Sequence, residues 1–252
     1  MVSERRRLAR WLVGSGLELG PGHIAFECPP DVEVTYVDRW PPADLRKLFP
    51  ELGDDAQFTE IDVFADLDRD GLSPFASRSQ DFVVCSHVLE HLADPLALLS
   101  EIYRVLRRGG IALVLLPDRR RTFDHDRPST SLEHLVAEHA AGVKAVDDQH
   151  LFEFITLAEP AEALTSKPET CDRDAFYAWH RERSIHVHCW TEDEFDDVLD
   201  YAQRAMRQRW VIVERLPLQD DGFEFGYVLR KTGGLPWPPA QARDLTAVGD
   251  ER

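Results

Sequence analysis

The sequence lacks a run of about eighteen apolar residues, the minimum for a membrane-spanning helix, so stable membrane insertion is not expected. Positive charge is also scarce: 29 Lys and Arg stand against 46 Asp and Glu, which gives a formal net charge of −17. A field of that sign repels phosphate backbones, and no basic and aromatic residues interleave as a strand-binding groove. Nucleic acid is therefore excluded as an expected partner, and one main soluble domain with an elaboration is predicted.

Paired cysteines are missing as well. The four cysteines, Cys28, Cys85, Cys171 and Cys189, form no C-x-x-C pair, and Cys85 stands in an apolar run typical of a buried, reduced thiol. This usage predicts a reducing, cytoplasmic compartment.

A glycine turn near the N-terminus resembles a nucleoside-binding motif but lacks its third glycine. Glu18-Leu19-Gly20-Pro21-Gly22 ends one apolar run, and Asp38 ends the next. Glycines let the backbone approach a ligand closely, and an acid about twenty residues on binds ribose hydroxyls. With Phe26 in place of the small third residue of a dinucleotide fold, NAD is disfavoured and another nucleoside cofactor is predicted.

Short apolar runs alternate with helical segments, which predicts an α/β fold with a mostly parallel sheet. One helix should begin at Asp94-Pro95 and close at Gly109-Gly110, and another should begin at Thr191 with Glu194 in a capping box. Only about ten residues, including Pro29-Pro30, separate Gly22 from the next strand, so no first helix fits there. The predicted strands are 16–19, 32–37, 57–61, 81–85, 111–116, 210–214 and 223–230.

Four parts follow from this pattern. Residues 1–117 are predicted to form the cofactor-binding part, and residues 118–190 an inserted, mainly helical lobe that binds the substrate, which is called the acceptor below. Residues 191–232 complete the sheet with a helix and a hairpin, and residues 233–252 form an extended tail.

Several motifs occur in order over residues 11–118: the glycine turn, Asp38, Ile61-Asp62-Val63, the run from Ser86 to Leu92, and Gly109-Gly110. In this order they resemble a class I S-adenosylmethionine-dependent methyltransferase. The resemblance implies a Rossmann-like sheet of seven strands with an antiparallel last hairpin. It also implies S-adenosyl-L-methionine as the cofactor.

The same resemblance assigns roles to residues. Glu18, Gly20, Pro21 and Gly22 would pass close to the methionine moiety, and Asp38 would bind the ribose. The edge of the adenine and the sulfonium end would be lined by four others: Asp62, Val63, Ser86 and His87.

The lobe is dense in polar residues and is similar to bacterial sugar O-methyltransferases of polysaccharide biosynthesis, notably the actinobacterial 1-O-methyltransferases of 3-O-methylmannose oligosaccharides. That likeness lies in a Thr-Phe-Asp-x-x-Arg segment, a Glu-His pair and a His-x-His motif. A small saccharide, such as a methylated mannoside, is therefore the predicted acceptor. Its predicted binding residues are Asp118, Thr122, Asp124, Arg127 and His134.

A sugar hydroxyl needs a general base, and histidine suits that role near neutral pH. His150 is the first candidate, followed by His186 and His188, with Asp118 or Asp124 orienting the base and Arg127 pairing with Asp124. Carboxylates and histidines could instead hold Mg²⁺, so the metal assignment stays open.

Alternatives remain at this point. The acceptor could be another small polar metabolite or a lipid precursor, the chain could be a non-catalytic cofactor-binding module, and a homodimer is left open.

Overall fold

A computed structural model describes residues 2–53, 55–158 and 173–233. Seven strands form one sheet: β1 (Ser15–Leu19), β2 (Glu33–Asp38), β3 (Val63–Phe64), β4 (Gln80–Ser86), β5 (Leu106–Pro117), β6 (Trp210–Leu216) and β7 (Glu224–Lys231). Their order in the sheet is β3-β2-β1-β4-β5-β7-β6, with β7 antiparallel to both neighbours and the other neighbouring pairs parallel. This confirms the predicted Rossmann-like methyltransferase sheet and its last hairpin.

Helices cover the sheet and fill the lobe. They are α1 (Val2–Ala9), α2 (Pro42–Leu48), α3 (Pro95–Val105), α4 (Leu132–Ala141), α5 (Asp148–Leu157), α6 (Arg173–Arg183) and α7 (Glu192–Arg204). Within the described ranges, no helix combines the length and apolarity that crossing a bilayer requires. Cys171 and residues 234–252 of the predicted tail lie outside the described residues.

The predicted start of α3 is confirmed, but its predicted end is wrong. Asp94 caps the helix by accepting a hydrogen bond from the Ala97 amide at 2.9 Å. The helix stops at Val105 and β5 begins at the next residue, so Gly109 and Gly110 lie in the strand. Gly109 has a φ of 84°, and the register between β4 and β5 shifts at this point. The two glycines therefore lie at an irregularity in the pairing of β5 with β4, and they do not cap a helix.

The predicted strand at 57–61 is also wrong, because the ladder forms later and is only two residues long. Asp62 occupies the edge of β2 just before it: its amide donates to the Tyr36 carbonyl at 3.0 Å and its carboxylate accepts from the Tyr36 amide at 2.9 Å. Regular pairing then starts at Val63 opposite Val37.

The predicted absence of a helix between β1 and β2 is confirmed, since residues 20–32 run as a loop. The face left uncovered is filled by α1 and this loop. Leu8, Leu12 and Phe26 are buried there against strand residues such as Phe82 and Leu113. The opposite face carries the larger core, built from α3, α4 and α7.

A substitution of Phe195, which lies on α7, tests the packing of that larger core. Its ring is fully buried and packs at 5.4–6.3 Å from the rings of Trp190, Tyr227 and Phe225. We expect Phe195→Ala to lower the free energy of unfolding by about 3–5 kcal/mol, because it removes buried area and leaves a cavity. Urea denaturation measures this. Phe152→Ala is the matched control, since Phe152 is 62% exposed, and a loss as large there would contradict the core described.

Candidate active site

A cavity of about 270 Å³ lies where β1, β2 and β4 end. Gly20, Gly22, Asp38, Asp68 and His87 are among the residues that line it. In open α/β sheets this edge, outside the carboxyl ends of the strands, is where ligands bind. The loop after each strand therefore supplies the wall of one cavity.

The glycine turn leaves space for a ligand. Gly20 and Gly22 have φ values of 56° and 55°, which glycine adopts readily, and a Cβ at Gly22 would meet nothing within 4 Å. Below the turn, the buried Glu18 accepts a hydrogen bond from the Phe26 amide at 2.7 Å with Oε1, while its Oε2 has no partner. Burial raises the pKa of Glu18 to about 7. Within the described ranges, neither Glu18 nor Pro21 lines the cavity, so their closeness to a bound cofactor stays a prediction.

Asp38 ends β2 at the cavity. Its Oδ1 accepts a hydrogen bond from the Trp40 amide at 3.2 Å, and burial raises the pKa of its carboxyl. The structure does not place Asp62, Val63 or Ser86 on the cavity lining. Residues 65–68 line it instead, at the end of β3.

His87 lines the same cavity and is held by charged neighbours. Its Nε2 lies 2.8 Å from Glu224 and its Nδ1 lies 3.4 Å from Glu90, while Arg5 donates to Glu224 at 2.6 and 2.9 Å. Burial lowers the pKa of His87, but the hydrogen bonds and negative charges of Glu224 and Glu90 outweigh burial and raise it to about 9. His87 is therefore an imidazolium at neutral pH, in a left-handed backbone conformation with a φ of 55°.

A second cavity, of about 400 Å³, adjoins the first beneath the lobe. The two share lining residues that include Gly22, Leu45, Phe49 and His91. Its walls are largely aromatic, with Phe49, Phe58, Phe123 and Phe154 among them. A ligand in this second cavity would lie beside one in the first.

His186 is the predicted base candidate that lines the second cavity. Its Nδ1 lies 2.6 Å from Asp124 Oδ2, which leaves Nε2 as its other ring nitrogen. Asp124 in turn accepts a hydrogen bond at 2.7 Å from the fully buried Arg127. Burial raises the pKa of Asp124, but the hydrogen bond with His186 and the Arg127 charge bring it below its ordinary value. Asp124 and Arg127 thus support His186 and do not themselves line the cavity.

Two further histidines line the second cavity. His91 donates from Nδ1 to the Ile185 carbonyl at 2.8 Å, and burial together with the His186 charge lowers its pKa to about 4. His180 is buried, and within the described part of the chain neither of its ring nitrogens has a hydrogen-bond partner; burial with the Arg183 charge lowers its pKa to about 4. Both are neutral imidazoles at neutral pH. From the sequence, His91 carries little weight, although it stands in the run from Ser86 to Leu92, and His180 is not singled out because it stands in no recognisable motif.

The other predicted site residues lie apart from the cavities. His150 and His188 meet His134 and Glu138 inside the lobe and line neither cavity. Asp118 is buried, and its carboxylate accepts from the Arg120 guanidinium at 2.7 and 2.8 Å. Thr122 Oγ1 lies 3.4 Å from Asp124 Oδ2. The structure thus divides the polar residues of the lobe into a cavity wall and a separate cluster.

The sheet order and the cavity at its carboxyl edge define a Rossmann-like methyltransferase fold. Residues 13–114 match the family described as "Methyltransferase domain". A Mycolicibacterium smegmatis protein with the name "Probable S-adenosylmethionine-dependent methyltransferase" is 35% identical over 96 residues, which are 34% of this chain and 37% of that protein. These matches support the class of S-adenosylmethionine-dependent methyltransferases in general, with S-adenosylmethionine as the cofactor.

Two solved structures are similar to this chain at low sequence identity, and only the first, with a TM-score above 0.5, bears on the fold. One from Rhodobacter sphaeroides, described among Zn-dependent alcohol dehydrogenases, is 12% identical with a TM-score of 0.53 and covers 91% of this chain and 89% of its own. A Thermotoga maritima S-adenosylmethionine-dependent methyltransferase is 16% identical with a TM-score of 0.47, covering 92% and 90%. At such low sequence identity, similarity of structure says nothing about which substrate this chain binds.

The His87–Glu224 contact should make stability depend on pH. Because the folded-state pKa of His87 is about 9 against an ordinary 6.5, its contribution is complete below pH 6.5 and is lost as pH rises through 9. We expect Glu224→Gln to lower the free energy of unfolding by about 1.5–3 kcal/mol at pH 6 and by less at pH 10. Urea denaturation across that range measures it. A deficit that stays constant, or one matched by the exposed control Asp200→Asn, would contradict the contact.

Proposed function

We propose that the protein is an S-adenosylmethionine-dependent O-methyltransferase that acts on a hydroxyl of a small acceptor, of which a sugar or oligosaccharide is the leading class. The carrying observation is the pair of adjoining cavities, one at the glycine turn and Asp38, the other containing the Asp124-supported His186. Both are built by this chain. The match to the Mycolicibacterium smegmatis relative covers only 37% of that protein's length. The proposed activity is therefore argued from the two cavities and not from the relative's name.

Methyl transfer asks the protein for positioning more than for covalent chemistry. Bound S-adenosylmethionine supplies a methyl group on a positively charged sulfur, which needs no further activation. Gly20, Gly22 and Asp38 would bind and orient it. Because the two cavities share a wall, an acceptor in the second would lie beside a cofactor in the first, and holding the two together would lower the entropy cost of an in-line displacement.

His186 is the proposed base. Its Nδ1 is engaged by Asp124, so Nε2 accepts the proton that the acceptor hydroxyl loses. Asp124 keeps the ring oriented and stabilises the imidazolium that forms, while Arg127 keeps Asp124 ionised. His150, the first base candidate from the sequence, has no such access to either cavity.

The second cavity favours an acceptor with both apolar faces and hydroxyls. A sugar ring has this character, because its C–H faces pack on aromatic rings such as Phe123 and Phe154 while its hydroxyls bond to polar side chains. His180, with two unpartnered ring nitrogens, is a candidate for that bonding. A methylated mannoside adds apolar surface and suits the aromatic walls. A cytoplasmic location and a homodimer remain predictions alongside this proposal.

Radiolabelled S-adenosylmethionine tests the proposed function. We expect purified protein to transfer label to free or methylated mannosides and to release the demethylated cofactor in equal amount. Transfer only to protein, lipid or nitrogen-containing small molecules would overturn the saccharide acceptor. Cofactor binding without any transfer across these acceptor classes would instead favour a non-catalytic binding module.

Asp38→Ala should weaken cofactor binding. Loss of a carboxylate that accepts two ribose hydroxyls costs about 1.5–3 kcal/mol, which is a roughly 10- to 100-fold rise in Kd. Isothermal titration calorimetry with the demethylated cofactor measures it. Glu33→Ala, an exposed carboxylate at the opposite end of the same strand, is the control and should leave Kd unchanged. An unaltered Kd for Asp38→Ala would remove the assigned role.

His186→Ala should abolish most turnover while leaving the cofactor bound. Removing a general base lowers kcat roughly 10²- to 10⁴-fold, and Asp124→Asn should lower it in the same direction by misorienting the ring. Steady-state kinetics with the acceptor found above gives kcat and KM, and calorimetry checks cofactor affinity. His125→Ala, an exposed histidine of the same lobe, is the control. Turnover that survives in His186→Ala would assign the base elsewhere.

A further inference from the structure

Four side chains from three separate segments meet inside the lobe, away from both cavities. His134 and Glu138 stand one turn apart on α4, His150 lies in the first turn of α5, and His188 belongs to the extended segment that precedes α7. Each offers one ligand atom to a common point, with all four atoms within 4.8 Å of one another. Nothing in the proposed methyl transfer uses this cluster.

Four distances between atoms of this cluster, taken with either Glu138 oxygen, are close to those between the ligands of a tetrahedral ion, and all four ligand atoms lie within 4.8 Å of one another. His134 Nε2 lies 3.1 Å from His150 Nε2 and 3.2 Å from Glu138 Oε2. Glu138 Oε1 lies 3.4 Å from His150 Nε2, and Glu138 Oε2 lies 3.5 Å from His188 Nε2. A tetrahedral ion with bonds of about 2.0–2.1 Å holds its ligand atoms about 3.3 Å apart. The side chains are therefore spaced as ligands.

Burial of His188 gives an independent sign of an ion. Its side chain is fully buried, and its Nε2, 3.5 Å from Glu138 Oε2, has no hydrogen-bond partner among the residues that the structure describes. A buried polar group without a partner is costly, so proteins retain one where something else satisfies it. A cation at the centre of the cluster would accept the lone pairs of His188, His134 and His150 together.

His150 is already oriented as metal-binding histidines are. Asp147 caps α5 by accepting from the His150 amide at 2.9 Å, and the same carboxylate oxygen lies 2.9 Å from His150 Nδ1. With Nδ1–H donated to Asp147, the Nε2 lone pair points to the cluster. One acidic residue therefore fixes both the start of the helix and the tautomer of the ligand.

The ligand types select the metal. Three imidazole nitrogens and one carboxylate oxygen suit Zn²⁺ and similar transition metals, whereas Mg²⁺ prefers oxygen ligands and retains several waters. Four protein ligands complete a tetrahedron and leave no open position, which is the pattern of a structural site. The Mg²⁺ alternative considered from the sequence does not fit this donor set.

We propose that His134, Glu138, His150 and His188 bind one Zn²⁺ ion, which fastens α4 and α5 to the extended segment before α7. That segment is anchored to the sheet domain because the Val187 and His188 amides both donate to the Glu90 carbonyl, at 2.7 and 3.0 Å. His186, two residues from His188, lies on the same segment. The ion thus holds the lobe in place around the second cavity without taking part in the reaction.

Zinc titration of the chelator-treated full chain tests the site. We expect one Zn²⁺ per chain by elemental analysis and competition with a chromogenic chelator, and a rise in Tm of roughly 5–10 °C at a hundredfold excess over Kd. Co²⁺ in its place should give the intense visible bands of four-coordinate cobalt. Mg²⁺ alone should leave Tm unchanged. A wild-type chain that binds no Zn²⁺ would overturn the proposal and leave a hydrogen-bonded histidine cluster.

Variants place the ion. His188→Ala and Glu138→Gln should lose the cobalt bands and the zinc-dependent rise in Tm, while His125→Ala keeps both. Asp147→Asn, which leaves all four ligands in place, should weaken zinc binding roughly 10- to 100-fold. Should His188→Ala fail to fold, Glu138→Gln and Asp147→Asn still decide the question. Unchanged zinc binding in them would place the ion elsewhere, for example at the Glu90, His91 and His186 group.

Discussion

The fully buried guanidinium of Arg127 makes the interactions on which the segment that carries His186 depends. It donates to Asp124 at 2.7 Å, to Glu153 at 3.0 Å and to the carbonyls of His186 and Val187 at 2.8 and 3.0 Å. A buried charge is tolerated only where its donors are satisfied, and removing one member leaves the others unpaired. Arg127 therefore fixes the backbone that carries His186 and the carboxylate that orients it, through one side chain.

Much of the cofactor half could be predicted from the sequence, because its signals are local. The glycine turn, the acid that ends β2 and the Asp94-Pro95 helix start each occupy a few consecutive residues, and the structure has all three. The two errors in the predicted bounds of its helices and strands also have local causes. Gly109 and Gly110 look like a helix cap but serve a strand irregularity, and the Asp62 side chain takes the place of a strand partner at the edge of β2.

The site itself was less predictable, since its contacts join residues that are distant in the chain. Arg5 reaches Glu224 across 219 positions, and Asp124 meets His186 across 62. Two histidines that are close in sequence also have different surroundings. His186 lines a cavity, whereas His188, two residues on, is buried in the cluster with His134, Glu138 and His150. The spacing of His186 and His188 predicts that both point to one face of an extended segment, turned towards the site, and this is wrong for His188, which lines neither cavity. Only the packing of α4, α5 and that segment decides which histidine faces which partner.

The loop that replaces a helix between β1 and β2 leaves it to α1 to support the wall of the cavity at the glycine turn. With no helix there, α1 covers the sheet face, and its Arg5 supports Glu224, which holds His87 at the cofactor cavity. Arg7 and Arg10 attach the same helix to Glu214 on the last hairpin. An affinity tag or a truncation at residues 1–10 would thus disturb the contacts that hold His87 at this cavity, and preparations trimmed differently there would differ at the proposed site.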